Sequence, residues 1–278
     1  MPKRTYWVIA AGLVVLLSTT TREARAQSIG AELGFFTDSY EGEGSWITLS
    51  PLFDLEIPIS DEWALAVEWG FFFSDLNDDD ASGEEDDSTF RTGNPFLGAV
   101  YSIMDNGIDL KVGCGLGLPL ASHSAGGEMF PFVASMQAIG IRGMWNLWLW
   151  RSRTLGIVFP LQLILDELPL FNIRGEAAAA GLISVSDDES EDSDILFQLA
   201  GEAGLRLGIA ELGARLQLVW LPTWDGDNAQ TAVEPYVLFD LRPGFVRFGL
   251  MMNLDKPLGF AFDSDGYWGV RLGVGFEF

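Results

Sequence analysis

Along most of this chain, apolar side chains alternate with polar or small ones in stretches of about ten residues, a period that belongs to strands and not to helices. Between Ser45 and Ile57, one face carries Ile47, Leu49, Phe53, Leu55 and Ile57, and the other Thr48, Ser50, Asp54 and Glu56. From Trp63 to Phe73, Trp63, Leu65, Val67, Trp69, Phe71 and Phe73 oppose Ala64, Ala66, Glu68 and Gly70. From Ile108, a face of Ile108, Leu110, Val112, Cys114, Leu116 and Leu118 opposes Asp109, Lys111 and three glycines. The same pattern sets Glu202 and Arg206 against aliphatics in 195–207, Arg215 in 214–224, Glu234 and Tyr236 in 233–241, Arg247 in 246–254 and Arg271 in 268–278. Less regular members span 29–37, 96–103, 155–166 and 173–185.

A soluble sandwich alternates too, but its polar face is the outer one. Here the apolar faces are long and nearly unbroken, whereas the polar faces mix both charge signs, as a wet interior with acids and bases paired across strands requires. Ten residues is also the length of a tilted strand crossing a bilayer. No later segment is apolar for long enough to cross as a helix. These features predict an all-β fold, an antiparallel up-and-down transmembrane barrel.

Connection lengths alternate as such a barrel demands. Short ones fall near 58–62, 105–107, 209–212 and 242–244, and long polar ones at 74–93, 186–194, 223–230 and 255–266. A consistent direction for every strand requires 121–153 to be a single extracellular insertion, which gives twelve strands. A further hairpin within it would give fourteen. Alternation fails from Phe130 to Trp150, which reads as a helical segment with Phe132, Met136, Ile139 and Gly143 on one side. Trp145, Trp148 and Trp150 suit a girdle at the membrane surface. The alternative is a plug folded into the barrel mouth around Arg142, Met136 and Ile139. Gly113, Gly115 and Gly117 would then make room for it, and Arg142, Arg151 and Arg153 would find acidic partners.

The N-terminus has three parts of a cleaved secretory signal: Lys3 and Arg4, an apolar run from Tyr6 to Leu17, and Ala24-Arg25-Ala26. The domains expected are a signal over 1–26, exported through the Sec pathway, and one barrel over 27–278. Cleavage takes away four bases and one acid, so the net charge of −24 becomes −27. Nucleic acid is a poor partner for such a chain. Cys114, the single cysteine, can form no internal disulfide.

Phe278 ends the chain, with Phe276, Val274, Leu272 and Val270 at every second position before it. This resembles the C-terminal signal of bacterial outer-membrane β-barrel proteins. The resemblance implies a Gram-negative outer membrane with its lipid and lipopolysaccharide as surroundings, and the barrel-assembly machinery and periplasmic chaperones as partners. The last strand must pair with the first, because lipid cannot satisfy an open edge.

The charged inward positions, Glu68, Asp109, Lys111, Glu202, Arg206, Arg215, Glu234, Tyr236, Arg247 and Arg271, are the residues expected to line a lumen and set its ion preference. A pore or small-solute channel with an acid-rich lumen is the leading function, and it predicts cation preference. A non-conducting surface or structural barrel, or an adhesin, would act instead through its acidic loops, Asp78-Asp79-Asp80 with Glu84-Glu85-Asp86-Asp87, and Asp187-Asp188-Glu189 with Glu191, Asp192 and Asp194. No cofactor is expected. Clustered carboxylates could hold Ca²⁺ or Mg²⁺ weakly, although their spacing matches no EF-hand. A lipid-modifying enzyme would centre on His123 with a neighbouring serine and Glu128. Barrel hydrolases share a His-x-Ser followed by Asn, and here Ala125 stands two residues after His123, so the expected nucleophile is missing.

Overall fold

The computed structural model describes residues 28–40, 44–77, 87–105, 107–121, 129–165, 168–185, 193–224, 226–261 and 266–277. The segment expected to be a signal (1–26), His123, Glu128, Phe278 and most of both acidic loops lie outside them. Thirteen strands form one sheet. They are β1 (Ser28–Tyr40), β2 (Gly44–Pro58), β3 (Trp63–Asn77), β4 (Asp87–Thr92), β5 (Phe96–Asp105), β6 (Ile108–Gly117), β7 (Thr154–Leu165), β8 (Phe171–Ser184), β9 (Asp194–Leu207), β10 (Ala210–Trp220), β11 (Ala229–Asp240), β12 (Gly244–Asn253) and β13 (Trp268–Glu277).

Each strand pairs antiparallel with its chain neighbours, except that β4 and β5 share one partner. β4 pairs with the end of β3 (Leu76↔Asp87 to Phe71↔Thr92) and β5 with its start (Glu68↔Phe96 to Trp63↔Tyr101). The register slips by one residue at Gly93-Asn94-Pro95, where the Gly93 N–H bonds the Gly70 carbonyl at 2.8 Å. β4 and β5 are therefore two halves of one stave interrupted by a bulge, and the barrel has twelve staves. The ladder closes between β1 and β13, with Ile29↔Phe276, Ala31↔Val274, Leu33↔Leu272 and Phe35↔Val270 in register. The insertion adds a helix, α1 (Met129–Gly140), and one 3-10 turn (Leu147–Leu149).

Period two explains which way each side chain points. In β9, Ile195, Phe197, Leu199 and Leu205 face outward and are exposed, while Asp194, Gln198 and Glu202 face inward and are buried. Leu65, Trp69, Val112, Leu116, Phe159, Leu216 and Phe248 continue this exposed apolar wall on other strands. Cys114 is on it as well. No water-soluble surface carries such a wall around its whole circumference, whereas hydrocarbon covers it at no cost. Aromatic pairs mark both rims: Trp63 with Tyr101 (ring centroids 5.0 Å) by the short turns, and Phe197 with Trp220 (5.5 Å) by the long loops. No described helix is long and apolar enough to cross a membrane.

Candidate functional site in the barrel lumen

A closed sheet of eight strands fills its interior with its own side chains, and porins of sixteen or more leave an aqueous channel. Twelve staves leave space that must be filled or remain wet. The half nearer the short turns is filled by a charge network. Arg271 pairs with Glu32 and lies 2.6 Å from Glu234. Arg247 bridges Glu234 (3.3 Å) and Glu202 (2.8 Å), with its guanidinium 3.9 Å over the Tyr236 ring. Arg215 pairs with Glu176 at 2.7 Å, and Lys111 with Glu56 at 2.8 Å. Tyr236 donates to Glu211 at 2.6 Å, and Asn172 also donates to Glu211. Cavities of about 350 Å³ and about 270 Å³ share Glu56, Lys111 and Gln162 in their walls, and the larger reaches Ser28 and Phe276 at the short-turn end.

The other half is occupied by the insertion. After α1 the chain turns through left-handed residues Gly143, Met144 and Asn146, and runs across the lumen as Leu147–Trp150. Ile141 packs against Gly34 of β1 and Gly269 of β13, and Trp150 against Gly70 of β3. A Cβ at Gly70 would lie 2.2 Å from the indole. Trp148 meets Gly117 and Gly156, while Leu149 places its carbonyl on Gly93. Arg142, only 2 % exposed, donates to the Ser50 hydroxyl and carbonyl (both 2.7 Å), lies 3.1 Å from Glu32 and stacks 4.6 Å over Trp150. Gln217 of β10 donates to the Arg142 carbonyl (2.6 Å), and Asn253 of β12 to that of Gly140 (3.1 Å). The insertion thus touches the wall on nearly every side.

No family model and no curated protein sequence matches the chain. Among solved structures, an outer-membrane channel from Pseudomonas putida F1 superimposes with a TM-score of 0.56 at 13% identity, covering 94% of this chain and 98% of that one. The NanC porin gives 0.54 at 10% identity, covering 90% and 100%. The chain has the fold of the outer-membrane β-barrels.

On that barrel, the ten lumen positions read from the sequence all lie on inward faces, spread over β3, β6 and β9–β13. Glu202, Glu234, Arg247 and Arg271 meet in one network. Lys111 and Arg215 pair elsewhere, with Glu56 and Glu176, while Arg206 lies 3.9 Å from Glu211. Glu68 accepts from Asn146 of the insertion at 3.1 Å. Asp109 sits at the short-turn end of β6. Met136 is half-buried and Ile139 buried within the insertion's packing.

Several expectations need correction. The helix ends at Gly140 instead of continuing to Trp150, because the chain must reverse through left-handed backbone there. Trp148 and Trp150 are buried in the lumen (3 % and 1 % exposed) and form no surface girdle. Of the three glycines in β6, Gly117 alone meets the insertion; Gly113 accommodates Pro160, and Gly115 the ring of Phe96. Residues 74–77 and 87–92 belong to β3 and β4 and not to a loop. Asp194 is the buried first residue of β9, paired with Arg151 and accepting from Thr223 at 2.6 Å.

Sequence reasoning passed over Glu32, Asn172, Arg174, Glu176 and Asn94. Glu32 was legible, since Gly30, Glu32 and Gly34 share one face of β1. In β8 the run Ala177–Ala180 hides which face is inward, and with it Arg174 and Glu176.

Proposed function

We propose that this protein, exported through the Sec pathway, works in the outer membrane as a small-solute channel whose lumen is stoppered from the long-loop end by its own residues 129–150. The observation that carries the reading is the course of that segment. It crosses the lumen, ties itself to Ser50, Glu68, Gln198, Gln217 and Asn253 on separate strands, and lies above a cavity lined by charged side chains. Its polar ties to β3, β9, β10 and β12 are hydrogen bonds of a kind that exchange with water at a net cost of about 1 kcal/mol each, while Trp148, Leu149 and Trp150 pack in one buried cluster with Phe72, Phe96 and Leu182 of the wall.

The likeness to channels of known structure supports the fold on which this reading rests. Conductance in planar bilayers tests it. The intact protein is expected to be nearly silent or to flicker, and a variant lacking Gly126 to Trp150 to conduct steadily. Equal conductance in the two would remove the plug. Silence in both would favour a non-conducting structural barrel.

A further inference from the structure

The larger cavity, of about 350 Å³, lies between the plug and the short-turn end, and charged side chains from both arcs of the barrel wall it. Most of them are matched. Lys111 holds Glu56 at 2.8 Å, Arg271 binds Glu32 and Glu234, and Arg247 reaches Glu234 at 3.3 Å. Arg215 is committed to Glu176 at 2.7 Å. Two groups of opposite sign are left over, and both face this one cavity.

The first is Asp54 of β2. It is exposed on the inward face of its strand, and among the described residues no cation stands within ion-pair distance of it. Its charged neighbours are Glu32 and Glu56, acids that have cations of their own. The carboxylate lies over Gly30 of the paired strand, where a Cβ would come within 2.2 Å of it, so a glycine there leaves it room. The second is Arg174 of β8. Its side chain is 35 % exposed and stands 3.9 Å from Glu202, a carboxylate that Arg247 already holds at 2.8 Å. A separation of 3.9 Å is beyond hydrogen-bond reach, so the guanidinium has donors to spare. Around the ring of twelve staves, β2 and β8 stand five apart, and the two groups therefore approach the cavity from different sides of the lumen.

We propose that this cavity is a binding site for a small zwitterion whose charges are several bonds apart, with Asp54 taking the ammonium and Arg174 the carboxylate. Each end then forms a charge-assisted hydrogen bond with a lumen group that lacks a close partner, and the guanidinium fork suits a carboxylate. The solute adds no net charge to a wall whose other charges are already matched. A molecule with one charged end gains one of the two contacts and leaves the other lumen group as it was. An α-amino acid as small as glycine carries its charges too close together to reach both sides. Because the cavity extends to Ser28 and Phe276 at the short-turn end, the solute enters from there without displacing the plug.

This inference deepens the channel reading by naming a solute class, but binding itself can be measured without a membrane or a current. The test uses the folded protein in detergent at pH 8, where aliphatic amines and carboxyls are both ionised. Calorimetry follows four probes: 6-aminohexanoate, its singly charged relatives 6-aminohexanamide and 6-acetamidohexanoate, and glycine. The first is expected to bind at least about tenfold more tightly than any of the others. Asp54→Asn should bring it down to the level of 6-acetamidohexanoate while leaving that anion's own affinity unchanged. Arg174→Gln should bring it down to the level of 6-aminohexanamide. Both substitutions remove a charge that is in no close pair, and heat-modifiable migration on gels checks that each variant is folded. Failure of 6-aminohexanoate to bind, equal affinity for the four probes, or indifference to either substitution in a folded variant would each overturn the proposal. Should 6-aminohexanoate bind as expected while the plug deletion leaves conductance unchanged, the channel reading fails and the site stands; steady conductance after the deletion, with no zwitterion bound, strikes the site alone.

Discussion

Arg142 concentrates the energetics of the insertion. It is enclosed by Ser50, Glu32 and the face of Trp150, all of which belong to different parts of the chain. Removing one member of a buried pair costs about 3 kcal/mol, because the remaining charge stays behind. Here that charge is Glu32, and Arg271 already binds it from the other side. The loss in Arg142→Met should therefore fall on the insertion and spare the barrel. Limited proteolysis is expected to cut within 129–150 far faster than in the parent while the barrel stays intact, and unchanged protection would contradict this. Gly70→Ala acts on the same packing from the wall. Its Cβ would overlap the Trp150 indole, so the ring must move, at about 1–3 kcal/mol. Near-ultraviolet circular dichroism should show the altered tryptophan environment. The chemistry of these residues could be read from the sequence, but their partners could not. A glycine on an inward face announces a close approach without saying what approaches, and so Gly113 and Gly115 looked like room for the plug when Gly34, Gly70 and Gly269 supply it.

At the scale of elements, the strands were legible because their two faces meet different solvents. Period two survives in β9 and β10 with hardly an exception, since any slip would put charge into lipid. The split of one stave into β4 and β5 was not legible, because a bulge adds one residue without disturbing the apolar pattern on either side of it. Yet the bulge is where the insertion is fastened. Asn94, fully buried, donates to the carbonyls of Trp148 (2.8 Å) and Arg151 (2.7 Å) and accepts from the Ala121 N–H (2.7 Å). One side chain thus holds both ends of the segment that leaves β6 and returns to β7. Asn94→Ala removes all three of these hydrogen bonds, at about 1–3 kcal/mol for each group that neither water nor another partner can reach. Hydrogen exchange over 147–153 is expected to accelerate by orders of magnitude, with the β9 and β10 amides unaffected. Equal protection of 147–153 in parent and variant would mean that the bulge serves the barrel alone.

For the molecule as a whole, twelve staves and their direction followed from connection lengths, whereas the path of the insertion depended on tertiary contacts that leave no periodic trace. The distribution of charge around the barrel also emerges only at this scale. Arg174, Arg215, Arg247 and Arg271 occupy the arc from β8 to β13, each beside a carboxylate. On the arc from β2 to β3, Asp54 and Glu68 have no cation within ion-pair distance among the described residues, while Glu56 alone is matched by Lys111. On the proposed channel, ions passing along the opened lumen would therefore meet a nearly neutral wall on one side and an acidic one on the other. In a channel opened by deleting Gly126 to Trp150, which also takes away Arg142, the excess of carboxylates should favour cations. A salt gradient across a bilayer would then give a reversal potential of cation-selective sign. Introducing Asp54→Asn together with Glu68→Gln should bring that potential close to zero without closing the channel. Anion preference in the opened parent, or a potential unmoved by the double substitution, would mean that the paired arginine arc and not the acidic one governs passage.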